Sequence, residues 1–455
     1  MRQELIQKYN VPVPRYTSYP PANFFHEGIQ SDAYKEAIIA SNTATPQHIS
    51  FYVHIPFCKH LCHYCGCNSF PMMKPEVVER YIKTLHTEID RVKPLLDPSR
   101  KIAQIHYGGG SPTAIPVNYI KELNEHMLDG FETIENPEIA IECHPGYLTE
   151  ENWMQLTEAK FTRFSLGVQD LNQDVLKVVN RRPSLLPLEV VFQILRQSNA
   201  KINMDFIYGL PLQTPESFAS TIEQAVSLEP DRLVTFSYAH VPWVNKRQLI
   251  LEKAGLPTTE AKSKMYDNAM HIMHRAGYKS IGLDHFVRPT DELYTALTTH
   301  KLHRNFQGYC TRRTTGQVYA FGVTGISQLN AGYTQNSKDI NQYMDEVENG
   351  KFAIAKGYSL NRDEQITRAV IDLLMCNYQL NWQDVATYLK MSVEEIKNAT
   401  AYNEDVLRAF AEDGIILWDK DSIRMTEEGT LFVRNVAASL DKLMLHSTKS
   451  FSKPV

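Results

Sequence analysis

Cysteine is scarce along most of this chain. Seven cysteines are spread over 455 residues, and outside one short cluster only Cys143, Cys310 and Cys376 remain. An odd count in a chain of this size, without an export signal, argues against a disulfide framework. No apolar run approaches the ~20 residues of a membrane span. The opening "MRQELIQKYNVPVP" lacks the apolar core of a signal peptide. Positive charge is not in excess either. The net charge is −5, so there is no broad basic field for nucleic acid or an anionic membrane. Internal repeats and low-complexity stretches are missing. What is present is ordinary for a soluble enzyme, with 43% apolar and 22% charged residues. The length allows a large core and more than one domain. The expectation is a cytoplasmic protein.

Short β-type runs alternate with longer helical stretches. Strands are predicted at 49–55 ("ISFYVHI"), 102–107, 139–143, 163–168, 202–209 and 232–239, with 280–286 and 318–323 as later ones. Helices are predicted at 75–95, 116–130, 215–228 and 258–276. The helix in "TPESFASTIEQAV" starts with a Thr cap and a Pro near the first helical position. Such alternation implies an α/β fold of parallel strands joined by right-handed crossovers. Six or more units predict a full or partial (β/α) barrel, with a doubly wound sheet as the alternative. Residues 1–48 read as an N-terminal arm with a helix near 31–41, and 49–355 as the barrel. From about 356 the rhythm changes. Helices at 361–380, 382–390, 392–399 and 404–413, the hairpin "GIILWDKDSIRMTEEG" and a final helix predict a winged-helix-like C-terminal domain, 356–455. Residues 361–440 carry eight Lys/Arg against fourteen Asp/Glu. That acidic balance disfavours phosphate binding and favours a structural or lid-like role.

The cysteine cluster lies in "HIPFCKHLCHYCGCN", residues 54–68, with Cys58, Cys62, Cys65 and Cys67 inside ten positions. Structural zinc sites commonly pair two separated CxxC elements. Only one such pair, Cys62 and Cys65, is present, although His54, His60 and His63 could complete a local site. Cys58, Cys62 and Cys65 also fit C-x3-C-x2-C, in which three thiolates on one loop hold three irons of a 4Fe–4S cubane. The fourth iron is then open, and an open position is where a metal does chemistry.

This motif, directly after a first strand, resembles the radical S-adenosylmethionine (SAM) enzymes. The resemblance implies that the open iron binds the amino and carboxylate groups of SAM. One electron then cleaves SAM to methionine and a 5′-deoxyadenosyl radical. Tyr64 fits the aromatic that precedes the third cysteine. Further polar residues and glycines fall at the ends of successive strands, where β/α barrels build their sites. "GGGSPT" implies a SAM site lined by Gly109, Gly110 and Ser111; a tight turn is the structural explanation of the same run. Glu142 in "IECHP", Gln169 in "SLGVQD" and Arg181 in "VVNRR" follow. Asp205 sits within the apolar "INMDFIYGLP", where a carboxylate needs a partner. Phe236 and Ala239 in "FSYAH" and Ile326 in "GVTGIS" complete the set. Each alone is readily structural, as a strand-end carboxylate or an ion pair is.

Taken in this order, they are similar to the oxygen-independent coproporphyrinogen III dehydrogenases (oxidases) of haem synthesis. The shared phrases run from "PRYTSYP" through "IYGLPLQTPESFA", "DHFVRP" and "LHRNFQGY" to "FSKPV". Ser111 stands where Thr is expected and His144 where Asp is expected, which leaves the role of His144 open. Cys67 is implied to be a non-ligand. The resemblance implies oxidative decarboxylation of two propionates of coproporphyrinogen III, on rings A and B, to the vinyls of protoporphyrinogen IX. It implies two bound SAM molecules, with Tyr52 and Phe236 near the cluster and first SAM, and Gln307 and Ile326 near the second. It implies a flavodoxin or ferredoxin type electron donor, an unidentified acceptor and a monomer. Arg15 and Arg304 are candidates for the substrate's carboxylates, because the guanidinium fork matches that geometry. His285 and His303 are candidates for assisting proton transfer. Haem chaperones of the same superfamily and anaerobic haem-opening enzymes are the alternatives; Cys67 and the "RYTSYP" arm favour the dehydrogenase.

Overall fold

A computed structural model describes residues 2–29, 31–243, 245–282, 284–311, 317–445 and 447–451. The last four residues of the phrase "FSKPV" lie outside the described residues. The strand-forming runs assemble into one twelve-stranded sheet. Its strands are β1 (Ile49–Ile55), β2 (Ile102–Gly109), β3 (Thr133–Cys143), β4 (Arg163–Gln169), β5 (Lys201–Tyr208), β6 (Arg232–Ser237), β7 (Lys279–Ser280), β8 (His285–Val287), β9 (Gln317–Phe321), β10 (Ile326–Leu329), β11 (Gly332–Asn336) and β12 (Ile354–Ser359). In space they run β12-β11-β10-β9-β1-β2-β3-β4-β5-β6-β8-β7.

β9 and β1 to β6 pair in parallel, and both flanks are antiparallel. β1 is buried at every residue but Tyr52, as suits a parallel strand covered on both faces. Its helical cover follows from sequence. Pro75–Val92 has Pro at its first position and buries Val78, Tyr81, Ile82, Leu85, Ile89 and Val92 on one face. Pro215–Ser227 is capped by Thr214, whose side chain accepts from the Ser217 N–H. β12 and β7 do not pair with each other, so the sheet is an open, partial barrel.

Curvature is reported by a buried ionic layer near the strands' N-terminal ends. Glu138 of β3 accepts from Gln104 of β2 at 2.7 Å and Arg163 of β4 at 2.8 Å, and Arg232 of β6 reaches it at 3.5 Å. Strands three apart in a flat sheet lie roughly 14 Å from each other; the sheet must curl for β3 and β6 to meet. Burial alone would raise the Glu138 pKa. Arg163 and Arg232 outweigh it and hold the carboxyl at about 2.

The strand β12 spans the boundary read at 355/356 and stays with the sheet; the first C-terminal helix is Arg362–Asn377. Beyond it lie three more helices, a hairpin, Ile416–Trp418 with Ser422–Met425, to which Gln379–Asn381 adds a third strand, and a last helix, Val433–Ser439. The core of this unit includes Ile371, Leu374, Trp382, Ile396, Leu407 and Ile423, and it is completed by Leu5, Tyr16, Tyr19 and Phe25 of the arm. Arm and C-terminal unit are thus one packing unit. Buried Asp441 accepts from Tyr16 Oη at 2.9 Å and Tyr19 Oη at 3.2 Å, and Arg434 Nε donates to the Pro14 carbonyl at 3.0 Å.

Glu88, 2% exposed, ties the parallel barrel to its antiparallel flank. It accepts from the Gly322 N–H at 2.8 Å, Tyr343 Oη at 2.6 Å and Asn336 Nδ2 at 2.8 Å. Burial nevertheless pushes its carboxyl up to about 7. A raised acid contributes stability that is full below its ordinary value of 4.5 and is lost as pH rises through about 7. The expected outcome is an unfolding free energy that falls between about pH 4.5 and pH 7, with a limiting slope of about 1.4 kcal/mol per pH unit. Urea titrations of wild type and Glu88→Gln check this, since the variant should lose that component of the slope.

Candidate active site

The chain leaves β1 into a loop whose ends are closed by a short parallel pairing of Phe57–Cys58 with Phe70–Pro71. Neighbouring segments fasten it from outside. Asn180 Nδ2 donates to the Leu61 carbonyl at 2.9 Å, Asn245 Nδ2 to that of Cys65 at 2.6 Å, and Gln248 Nε2 to that of Tyr64 at 3.1 Å. From inside, the end of β2 presses against it. The Gly110 N–H donates to the Ile55 carbonyl at 2.9 Å and the Ser111 N–H to that of Phe57 at 3.0 Å. Gly109 has φ +120°, and a Cβ on Gly110 would lie 2.5 Å from the Pro56 oxygen and 2.9 Å from Cys58 Sγ. Only glycine meets both demands.

A cavity of about 180 Å³ opens at the C-terminal ends of the first five strands. Eleven of the sequence-predicted residues line it: Cys58, Cys62, Tyr64, Cys65, Gly109, Gly110, Ser111, Glu142, Gln169, Arg181 and Asp205. Cys67, His60, His144, Tyr147 and Ser165 join them. A groove of about 400 Å³ at the other end of the strands, lined among others by Thr45, Gln317 and Arg362, contains none of the predicted cofactor residues.

The cavity wall is electrostatically unfinished. Ser111 Oγ, Gln169 Oε1, Arg181 Nε and His144 Nε2 are buried without a protein partner, which is uncommon for buried polar atoms. Gln169 also holds φ +72°, a strained backbone of the kind concentrated at functional sites. Arg181 Nη1 donates to Tyr64 Oη at 3.0 Å and reaches Cys62 Sγ at 3.5 Å, and Nη2 donates to the Gly167 carbonyl. Burial lowers the Arg181 pKa, but Tyr64 and Cys62 outweigh it and the net shift is upward. Glu142 Oε1 sits 3.1 Å from His106 Nε2. Asp205 accepts from Asn203 Nδ2 at 2.8 Å, yet burial and the nearby Glu142 push its carboxyl to about 6.

Burial, then Cys65 and Cys62, push the Cys58 thiol up to about 12. Hydrogen bonding from Cys67 leads the causes that bring Cys65 down to about 6; the Cys67 N–H lies 3.4 Å from Cys65 Sγ. Mutual repulsion among thiolates disappears once each binds its own cation. Among the described residues no three His, Cys, Asp or Glu side chains lie close enough to share a single ion. Thiols placed around a cavity suit a polynuclear cluster in which each takes a different iron. The residues present fit that group.

The other predicted residues sit apart from this lining. Tyr52 lies behind it, stacked on His106 at 6.0 Å and bonded to His54 Nδ1 at 3.1 Å. Phe236, 39% exposed at the end of β6, meets the His285 ring edge-on at 6.1 Å. Ala239 is exposed, and its carbonyl accepts from Gln248 Nε2 at 3.2 Å. Gln307 lies at the turn of a hairpin, Leu302–Asn305 with Gly308–Thr311, and its N–H donates to Asn305 Oδ1 at 2.9 Å. Ile326 and Phe306 pack against the core shared by arm and C-terminal unit.

Arg15 pairs with Asp284 at 3.2 Å, while Arg304 lies over the Tyr309 ring at 5.1 Å. Sequence reasoning missed Arg434. Burial, then the positive charges of Arg15 and Arg304, bring it down to about 10. Three guanidinium groups thus gather around Asp284, whose own pKa burial raises and all three arginines lower. His285 is held neutral, at about 3, by burial and by Arg304, so it holds no proton to give as a cation. His303 faces Asp372 at 4.0 Å and lines the opposite groove; it does not join the site. His106 was also missed. Alternate residues of a strand share a face, and that parity, counted from Gly108, would have found it.

The radical SAM superfamily model matches residues 52–225. The chain is 37% identical to the oxygen-independent coproporphyrinogen III oxidase of Escherichia coli (strain K12), covering 96% of this chain and 94% of that one. It is 35% identical to the enzyme of the same name from a Synechocystis species, covering 99% and 97%. A solved structure of the Escherichia coli coproporphyrinogen III oxidase, described as a radical SAM enzyme, superposes with a TM-score of 0.86 at 34% identity, covering 97% and 98%.

Gly110→Ala tests the backbone contact. Its methyl group meets the Pro56 backbone before it meets Cys58 Sγ, and such overpacking typically costs about 1–3 kcal/mol. The variant is expected to fold but to bind clearly less iron per chain after anaerobic reconstitution. Wild-type iron content would show that the two segments part without consequence.

Proposed function

The chain belongs to the oxygen-independent coproporphyrinogen III oxidase family of radical SAM enzymes, and we infer that it converts coproporphyrinogen III to protoporphyrinogen IX. Each of two propionates, on rings A and B, gives up a β-hydrogen atom, one electron and carbon dioxide, leaving a vinyl group. The single observation that carries this reading is the cavity in which three thiols and a ring of unpartnered polar atoms meet.

Cys58, Cys62 and Cys65 would hold the 4Fe–4S cluster, and Gly109, Gly110, Ser111, Glu142, Gln169, Arg181 and Asp205 would receive SAM. Bound together, these groups supply a carbon-centred radical able to take hydrogen from an unactivated carbon. The protein's part is position and exclusion of water. His106 orients Glu142, and Gly109 and Gly110 let the cysteine loop close against the end of β2. The reading extends to a second SAM, with Tyr52 and Phe236 serving the cluster and first SAM, Gln307 and Ile326 the second, and Ala239 cofactor binding. The exposure of an aromatic ring, Phe236, at a strand end supports this.

Arg15 and Arg304 would take the substrate's carboxylates. The excess of guanidinium over carboxylate around Asp284 supports that role. A low-potential carrier of flavodoxin or ferredoxin type would deliver the electron, and a separate acceptor would remove the one left by the substrate. Lys59, Arg182 and Arg247 border the cysteine loop and suit an acidic partner. The chain would act as a monomer in the cytoplasm; no helix among the described residues is long and apolar enough to cross a membrane. The end-to-end relatives share the oxidase name, which disfavours the haem-chaperone and haem-opening readings.

An anaerobic assay with reconstituted protein, SAM, reductant, acceptor and coproporphyrinogen III tests this. Protoporphyrin is expected only with SAM and an intact Cys62; turnover by Cys62→Ala would overturn the reading. Arg304→Ala is expected to raise KM about 10-fold or more, the weight of a lost charge-assisted hydrogen bond. SAM cleavage without substrate should stay within about twofold of wild type. An unchanged KM in both Arg304→Ala and Arg15→Ala would remove the carboxylate assignment.

A further inference from the structure

His144 is a buried donor that nothing in the protein uses. Its side chain lines the cysteine cavity, and the residue is 6% exposed. The Gly146 N–H donates to Nδ1 at 3.1 Å. With Nδ1 an acceptor, a neutral imidazole carries its proton on Nε2. Burial and the charge of Arg181 keep the ring neutral, at about 2. Its plane is set by stacking on Tyr147, centroids 4.1 Å apart, and its backbone by the His144 N–H donating to Thr113 Oγ1 at 3.2 Å. Tyr147 Oη is already engaged with His60 Nδ1 at 3.0 Å. Nε2 is left without a protein partner.

A fixed ring and a single tautomer make a directed donor. We propose that His144 donates its Nε2–H to an anionic acceptor of the group bound in this cavity, either a sulfur of the cluster or the carboxylate of SAM. The inference rests on the function proposed above. The side chains that share this wall, Cys58, Cys62 and Arg181, limit the acceptor to what they also surround. A hydrogen bond to a cluster sulfur favours the reduced, more negative state and so raises the reduction potential. A hydrogen bond to the SAM carboxylate leaves the SAM-free potential alone and adds to SAM affinity.

The test uses the full chain, reconstituted with iron and sulfide, as wild type, His144→Phe and His144→Gln. Phenylalanine keeps a ring against Tyr147 and removes the N–H; glutamine restores an N–H donor. Two quantities are read: the midpoint potential of the cluster by paramagnetic resonance without SAM, and the SAM dissociation constant by equilibrium dialysis. For a sulfur acceptor, His144→Phe shifts the potential negative. For a carboxylate acceptor, it leaves the potential in place and weakens SAM binding about tenfold. In either case His144→Gln recovers most of the loss. Wild-type values of both quantities in His144→Phe would overturn the proposal, as would a glutamine variant no better than phenylalanine. Should His144→Phe not load iron, His144→Leu provides the same comparison. A wild type that takes up no cluster would instead overturn the functional reading on which this rests.

Discussion

Between Ile55 and Ser111 two backbones lie within hydrogen-bonding distance, and a side chain at Gly110 would overlap the Pro56 carbonyl. The site depends on that approach. It holds the cysteine loop over the strand ends, sets Cys58 Sγ against the glycine backbone, and leaves a gap bordered by three thiols. Parallel pairing of β1 with β2, in register from Ser50 opposite Gln104 to Ile55 opposite Gly109, brings the two segments together. A one-residue slip would turn every side chain of β2 to the opposite face, and His106 could no longer meet Glu142.

Polar groups inside the barrel are treated differently at its two ends. Near the strands' N-terminal ends, Glu138 pairs with Arg163 and Arg232, and Arg232 with Asp291, so that each charge has an opposite partner. A buried charge without such a partner is costly, so this layer holds the sheet to one curvature. At the C-terminal ends the accounting is left open. Ser111, Gln169, Arg181 and His144 each keep a buried atom without a partner. Charges are paired within the first layer, whereas the polar atoms of the second converge on one cavity and suit a polar ligand there.

The arm and the C-terminal unit add a third constraint. Tyr16 and Tyr19 of "PRYTSYP" bond the buried Asp441, and Arg434 grips the carbonyls of Val13 and Pro14. These contacts deliver Arg15 to Asp284. The C-terminal unit and the arm share one core and so form a single packing unit.

Much of this was legible in the sequence, wherever local chemistry decides. The apolar runs became β1 to β6 with ends close to those expected, because a strand buried on both faces must be apolar along its length; β3 alone starts six residues early, in the less buried, polar stretch from Thr133. C-x3-C-x2-C was legible because three thiols on one loop need no distant partner to meet. The helix from Pro215 announced itself through its cap. Adjacency was decided only in three dimensions. The run at 318–323 reads as a strand, yet nothing local says that it pairs with β1 rather than with the strand before it. The short antiparallel strands β10 to β12 lack a period long enough to read. The convergence of Arg15, Asp284, Arg304 and Arg434 joins four distant stretches of chain, and a guanidinium shows no local sign of its eventual neighbours. By itself the sequence determined the elements, the thiol motif and the chemistry it supports. The tertiary structure decided which groups face each other across the cavity and which polar atoms stay unpaired, because burial and distance exist only after the chain has closed on itself.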